Sequence, residues 1–304
     1  MENQYYTPEQ PKKTPLFKKY SNILKWIWFG FGVLATIIIL GSFIFITYTL
    51  ITETAEPVIE ETETIVEETN ESECNVRGII LHGDLQTYIA ESDFDENDNL
   101  LIDASASEDI QYAIEESNKD SGIQAIILEI DSYGGYPVAG EEIANALKFV
   151  EKPTVALIRG AGASAAYLAA TGADMIFASK HSDVGSIGVS MSYLDRSNYN
   201  QEEGFTYNKL LTGKFKDAGD PDKTLTLEER QYFERDLKIL LENYIQEVAT
   251  NRNLPVSKVR QLADGSTMLG EAALKNGLID KIGDLRAVEQ YLAEKLSTDI
   301  VVCW

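Results

Sequence analysis

Hydrophobic and polar positions divide the chain into stretches with different patterns. Residues 26–52 contain no charged side chain, and 29–46 within them is rich in Phe, Ile, Leu and Val. At about 1.5 Å per residue such a stretch crosses a hydrocarbon core of about 30 Å with some tilt. A buried core helix and a cleaved signal peptide are the competing readings. A signal peptide has a shorter apolar run closed by a small-residue cleavage site, whereas Glu53-Thr54-Ala55-Glu56 follows here, so the pattern predicts a transmembrane helix at 23–52. Residues 1–22 read as a polar tail, and 53–75 as an acidic stalk, rich in Glu and Thr, that buries too little apolar surface to fold. From residue 76 the pattern changes. Short apolar runs at 76–81, 125–130, 154–158 and 175–178 predict strands, and 108–116 and 141–150 carry helical periodicity. Ser105 and Glu108 stand at capping-box spacing ahead of the first helix. A long helix is predicted at 227–251, where Tyr232, Phe233, Leu237, Leu240, Leu241, Tyr244 and Val248 form an apolar face. That face must pack on the domain or on a neighbouring subunit. Alternating strands and helices predict an α/β domain at 76–304 with a buried, largely parallel sheet.

Charge then orients the chain. The net charge is −23, which excludes the basic surface that nucleic acid requires. Lys12, Lys13, Lys18, Lys19 and Lys25 precede the apolar span while Glu53, Glu56 and Glu60 follow it. The positive-inside rule places the N-terminus in the cytoplasm and everything after residue 52 outside it. The two cysteines, Cys74 and Cys303, fit neither a disulfide framework nor a metal site. They pair with each other outside the cytoplasm or remain two free thiols. The segment 93–99 is a poor calcium loop, because Asp98 and Ala104 stand where glycine and glutamate are needed. It reads as an acidic loop, and no metal site is expected.

Clusters of small residues follow the predicted strands, where α/β folds place their sites. Asp131-Ser132-Tyr133-Gly134-Gly135 is a plain turn or a backbone shaped to aim N–H groups outward, as an oxyanion hole requires. In Gly160-Ala161-Gly162-Ala163-Ser164-Ala165-Ala166-Tyr167 a serine stands where strand becomes helix. That suits either an exposed nucleophile or a close-packed helix. Neither His82 nor His181 lies in a triad context. A lysine whose neutral form is favoured by burial can replace histidine as base, and Lys209, Lys214, Lys216 and Lys223 all lie downstream.

Together with Gly185-Ser186-Ile187-Gly188-Val189, Thr212-Gly213-Lys214-Phe215-Lys216-Asp217, Leu262-Ala263-Asp264-Gly265 and Gly277-Leu278-Ile279-Asp280-Lys281-Ile282-Gly283, these segments resemble the signal peptide peptidase A family over most of residues 76–295. The resemblance implies a repeated βαβ fold of the caseinolytic protease (ClpP) and crotonase type and a Ser-Lys serine endopeptidase without cofactor. By it, Ser164 matches the nucleophile, Lys216 the general base, Ser186 the residue that orients the lysine, and Gly135 the oxyanion-hole N–H. Gly134, Gly185, Ile187 and Gly188 fall in segments that would bind an extended peptide as an added strand. Tyr133 departs from the family, which commonly has proline there. The resemblance further implies hydrophobic, unfolded substrates such as cleaved signal peptides. It also implies a half-length form whose subunits assemble into a homo-oligomeric ring, with serine and lysine supplied by adjacent protomers. Two other readings share the fold: a stomatin-associated peptidase of membrane quality control, and a binding scaffold that has lost activity.

Overall fold

The computed structural model describes residues 74–90, 93 and 101–304, all within a unit that runs from Asn70 to Trp304. The tail, the apolar span and nearly all of the stalk lie outside the described residues, as does most of the acidic loop at 93–99. None of the described helices is long and apolar enough to cross a membrane.

The apolar runs become strands of one sheet: β1 (Val76–Gln86), β2 (Ala104–Ala106), β3 (Ala125–Gly135), β4 (Thr154–Ala163), β5 (Met175–Ala178), β6 (Asp183–Gly185), β7 (Thr267–Leu269), β8 (Lys281–Ile282) and β9 (Val302–Cys303). The central order is β2-β1-β3-β4-β5-β8, with β6 beside β4, β7 beside β6, and β9 beside β1. Every pairing is parallel except β6 with β7. Between the strands run α1 (Ser107–Lys119), α2 (Pro137–Lys148) and α3 (Ala165–Ala170). Later come α4 (Ser197–Glu202), α5 (Leu227–Asn251), α6 (Val256–Leu262), α7 (Gly270–Asn276) and α8 (Leu285–Leu296).

The period-two geometry of a strand, with both faces of the sheet covered, explains why β3 begins with the apolar run Ala125-Ile126-Ile127-Leu128. Ile126, Leu128 and Ile130 enter one core with Ile110 and Ile114 of α1, Ile143 of α2, and Tyr244 and Val248 of α5. Ala125 and Ile127 enter a second core on the opposite face, with Val288 and Leu292 of α8. Both faces are therefore covered, and the α/β class expected from the alternation is what the chain adopts.

The differences lie at the ends of elements. The predicted strands at 125–130 and 154–158 stop where the apolar runs meet Asp131 and Arg159, yet β3 and β4 continue to Gly135 and Ala163. Pairing carries them past the apolar stretch: Ser132 of β3 lies opposite Gly162 of β4. The capping box expected at Ser105 does not form. Ala106 is the N-cap of α1, with no side-chain cap bond. The Ser105 hydroxyl instead accepts from the His82 N–H at 2.9 Å and donates to the His82 carbonyl at 2.8 Å, joining β2 to β1. The long helix matches its predicted span, but its buried apolar residues, Tyr244, Ile245, Val248 and Ala249, all lie in its C-terminal half, and the first turn buries only Glu229. The two thiols are joined in a Cys74–Cys303 disulfide, which decides between the alternatives left open by the sequence.

Candidate active site

Ser164 sits where β4 ends and α3 begins, with φ 53° and ψ −128°. Positive φ costs an L-residue free energy and persists only where the surroundings impose it. They do so through hydrogen bonds. The Ser164 N–H donates to the Gly185 carbonyl at 2.8 Å, the Leu168 N–H donates to the Ser164 carbonyl at 3.0 Å, and the Tyr244 hydroxyl donates to that carbonyl at 2.5 Å. Three elements, β6, α3 and α5, thus hold one half-buried serine. Burial pushes the Tyr244 phenol well above its ordinary value, so it remains a donor.

The end of β3 lies alongside. Gly134, at φ 109°, faces Ser164 so closely that a Cβ there would come within 2.8 Å of the Ser164 Cβ and 2.9 Å of the Ala163 carbonyl oxygen. Only glycine fits both the dihedral and the space. Its N–H donates to the Ser132 hydroxyl at 3.0 Å, and that hydroxyl donates to the Gly83 carbonyl at 2.6 Å, which fixes the turn from beneath. Gly135, the next residue, lines a groove of about 470 Å³ together with Ser164, Ser186, Gly188 and Gly265. Tyr133 is exposed, and its hydroxyl donates to Asp183 at 3.3 Å. The departure from proline therefore leaves the glycine pair in place beside Ser164.

Ser186 also has positive φ, 50°, and is held from the 265–266 turn: its N–H donates to the Ser266 carbonyl and its hydroxyl to the Gly265 carbonyl, each at 3.0 Å. Gly185 is engaged through its carbonyl. Ile187 is fully buried, and its carbonyl accepts from the Gly265 N–H at 3.1 Å. Gly188 lines the groove. Beside Ser164 a second cavity, of about 140 Å³, opens between α2, α3 and α5.

The structure brings Ser164, Gly134, Gly135, Ser186 and Gly188 together, but not Lys216. That lysine is exposed on the turn segment before α5, and lines neither cavity that contains Ser164. Its neighbour Asp217 is the opposite: buried, with Lys223 Nζ at 3.7 Å and Lys209 Nζ at 3.8 Å. Lys223 is in turn paired with Glu229 in the first turn of α5. There Thr226 and Glu229 form a capping box, and the Lys223 hydrogen bond holds the Glu229 carboxyl down at about 2. His82 pairs with Asp103, both exposed, and His181 is exposed as well. Neither lines the groove. Among the described residues no cluster of His, Cys, Asp and Glu has the arrangement of a metal site.

Residues 146–299, half of the chain, match Peptidase family S49. A protein of Methanocaldococcus jannaschii whose name gives it as a candidate protease is 33% identical over 217 residues, 68% of this chain and 70% of that one. The chain belongs to peptidase family S49. A second member, from Enterococcus faecium and named as a candidate signal peptide peptidase SppA, is 31% identical over 60% of this chain and 55% of its own length. The aligned stretch thus spans little more than half of that relative. Among solved structures, a ClpP1 mutant from Listeria monocytogenes aligns with TM-score 0.44 and 14% identity, covering 69% of this chain and 93% of its own.

Sequence reasoning alone did not single out Tyr244 as a partner of Ser164, nor the Asp217, Lys223 and Glu229 cluster behind Lys216. Tyr244 was visible only as one member of the apolar stripe on α5. The sole hint of its role is a hydroxyl within that stripe, which must find an acceptor once buried.

Proposed function

We propose that the chain is a membrane-anchored serine endopeptidase of the signal peptide peptidase A type, in half-length form on a ClpP-like fold, and that its site is completed between protomers. In this reading neutral Lys216 of one protomer takes the proton from Ser164 Oγ of its neighbour as Oγ attacks a peptide carbonyl. The N–H of Gly135 and its neighbours stabilise the oxyanion, and the lysine ammonium protonates the departing amine. Water, deprotonated by the same lysine, then releases the acyl group and regenerates Ser164. Ser186 orients the ammonium. An extended peptide lies along the groove between the Gly135 and Gly188 segments, so unfolded hydrophobic peptides, such as signal peptides left after secretion, are the substrates.

The observation that carries this reading is the contrast between Ser164, strained and held by three elements over a groove, and Lys216, exposed and outside that groove within its own chain. Exposed apolar side chains near Lys216 support assembly. Phe205, Leu210, Leu211 and Phe215 are all partly or fully exposed, Leu210 to 99%, which is what a surface for a neighbouring subunit needs. The disulfide supports a location outside the cytoplasm, since such bonds persist in oxidising compartments.

The test is hydrolysis of a fluorogenic hydrophobic peptide by the full chain in detergent. Ser164→Ala and Lys216→Ala are each expected to reduce kcat by at least about 10³-fold while retaining the oligomeric state. Coexpression of the two variants is expected to restore part of the activity, because some neighbours then join an intact serine to an intact lysine. Inactivity of the coexpressed pair, with mixed oligomers demonstrated by tags, would place both groups in one chain.

A further inference from the structure

The cavity that opens beside Ser164 has walls of two kinds. Near the serine they are apolar, with Pro137 and Val138 from α2 and Leu168 from α3. Glu141, one helical turn beyond Pro137, and Glu247, one turn beyond Asn243 and Tyr244, add two carboxylates. Pro137, Ser164, Gly188 and Val189 line both this cavity and the peptide groove, whereas Glu141 and Glu247 line the cavity alone. The carboxylates therefore stand aside from the path of the peptide backbone, where a side chain leaving that path beside Ser164 would end.

Neither Glu141 nor Glu247 forms an ion pair among the described residues. Glu247 is half-buried, and its carboxyl is pushed up by burial and then by the Glu141 charge, with Lys148 offsetting part of the effect. Lys148 is exposed, its ammonium 3.4 Å from Asn145 Oδ1, and it does not line the cavity. Glu141, which is exposed, and Glu247, which is half-buried, line one cavity with Pro137, Val138 and Leu168, a combination matched by a ligand with an aliphatic stem and a cationic head. An apolar side chain would strip water from the half-buried Glu247 carboxylate and offer no partner in exchange.

We infer that this cavity binds the side chain on the acyl side of the cut bond and selects lysine or arginine, with the stem against Pro137, Val138 and Leu168 and the cation between Glu141 and Glu247. The inference rests on the peptidase reading above and sharpens it. Cleavage falls next to basic residues, which in a signal peptide gather ahead of the apolar stretch.

The test uses the full chain in detergent and two fluorogenic peptides that differ only at the acyl-side residue, lysine in one and norleucine in the other, which has the stem without the ammonium. The wild type is expected to favour lysine in kcat/KM by about tenfold or more. Glu141→Gln and Glu247→Gln each lower that ratio by roughly threefold, and the double variant brings it to about one. Because each ratio is taken within one preparation, partial misfolding cancels. A wild-type ratio of one or less, or a ratio that survives the double substitution, overturns the inference. Binding to Ser164→Ala separates it from the peptidase reading: fluorescein-labelled peptides ending in lysine or norleucine are titrated and followed by anisotropy. Tighter binding of the lysine peptide supports the inference even if no peptide is hydrolysed, an outcome that would sink the peptidase reading alone. Equal binding overturns it even if hydrolysis is seen.

Discussion

At Ser164 the chain keeps a backbone conformation that its side chain disfavours. The pair φ 53°, ψ −128° costs an L-residue on the order of 1–3 kcal/mol, offset by the bonds to Gly185, Leu168 and Tyr244. Glycine takes such dihedrals freely, although it loses about 0.5–1 kcal/mol more chain entropy on folding. Ser164→Gly is therefore expected to be more stable than Ser164→Ala by about 1 kcal/mol, both inactive, with urea unfolding of the two variants as the measurement. Equal stability would mean that Ser164 is relaxed. The same residue shows how far sequence reading reaches. A serine among glycine and alanine, where an apolar strand gives way to a helix, marks a position where neighbouring chains crowd, so the crowding at Ser164 and the Gly134-Gly135 pair was legible, while the pattern alone left a plain turn and a close-packed helix open. Tyr244, 80 residues away along the chain, was not, because a hydroxyl's partner depends on which strand end its helix crosses.

Among the elements, the segment before α5 is tied down by charge. Asp217 next to Lys216 is buried against Lys223 and Lys209, and Lys223 joins it to Glu229 and hence to the capped start of α5. Glu229 has its folded pKa depressed from the ordinary 4.5 to about 2. Its contribution to stability is therefore fully present above about pH 4.5 and is lost as the pH falls toward 2. The melting temperature of the wild type is expected to drop through that window, and Glu229→Gln, less stable at neutral pH, should lose much of that drop. Parallel curves for the two proteins would show that Glu229 does not couple folding to protons. Capping also shows why local signals mislead. The spacing of Ser105 and Glu108 matched that of Thr226 and Glu229, yet only the second pair caps a helix, because β1 claims the Ser105 hydroxyl through both backbone groups of His82. Sheet pairing between residues 23 positions apart outbid a contact three residues away, and no window of local sequence contains both competitors.

Across the described unit, the parallel sheet separates what ties the chain together from the candidate site at Ser164. Cys74 precedes β1 and Cys303 lies in β9, which pairs with the first residues of β1, Val76 and Arg77. Asn75 laces the same corner, through Asp299 and Val301. Ser164 follows the last residue of β4, at the other end of the strands, and at about 3.3 Å per residue a ten-residue strand puts roughly 30 Å between the two ends. The disulfide closes a loop with a sequence separation of 229 residues, so opening it frees much of the unfolded chain and costs about 2–5 kcal/mol. For a unit of this size that corresponds to a fall of roughly 5–15 °C in melting temperature. Cys303→Ser is thus expected to melt lower by that amount while kcat/KM at 25 °C stays within about twofold of wild type, since nothing at the Ser164 end of the sheet is touched. Scanning calorimetry and peptide hydrolysis on the same sample make the comparison. A variant that melts as the wild type does would show that Asn75 and the β1–β9 pairing suffice to hold the corner. A variant that loses activity at 25 °C while still fully folded would show that the sheet couples its two ends, contrary to the separation that its topology implies.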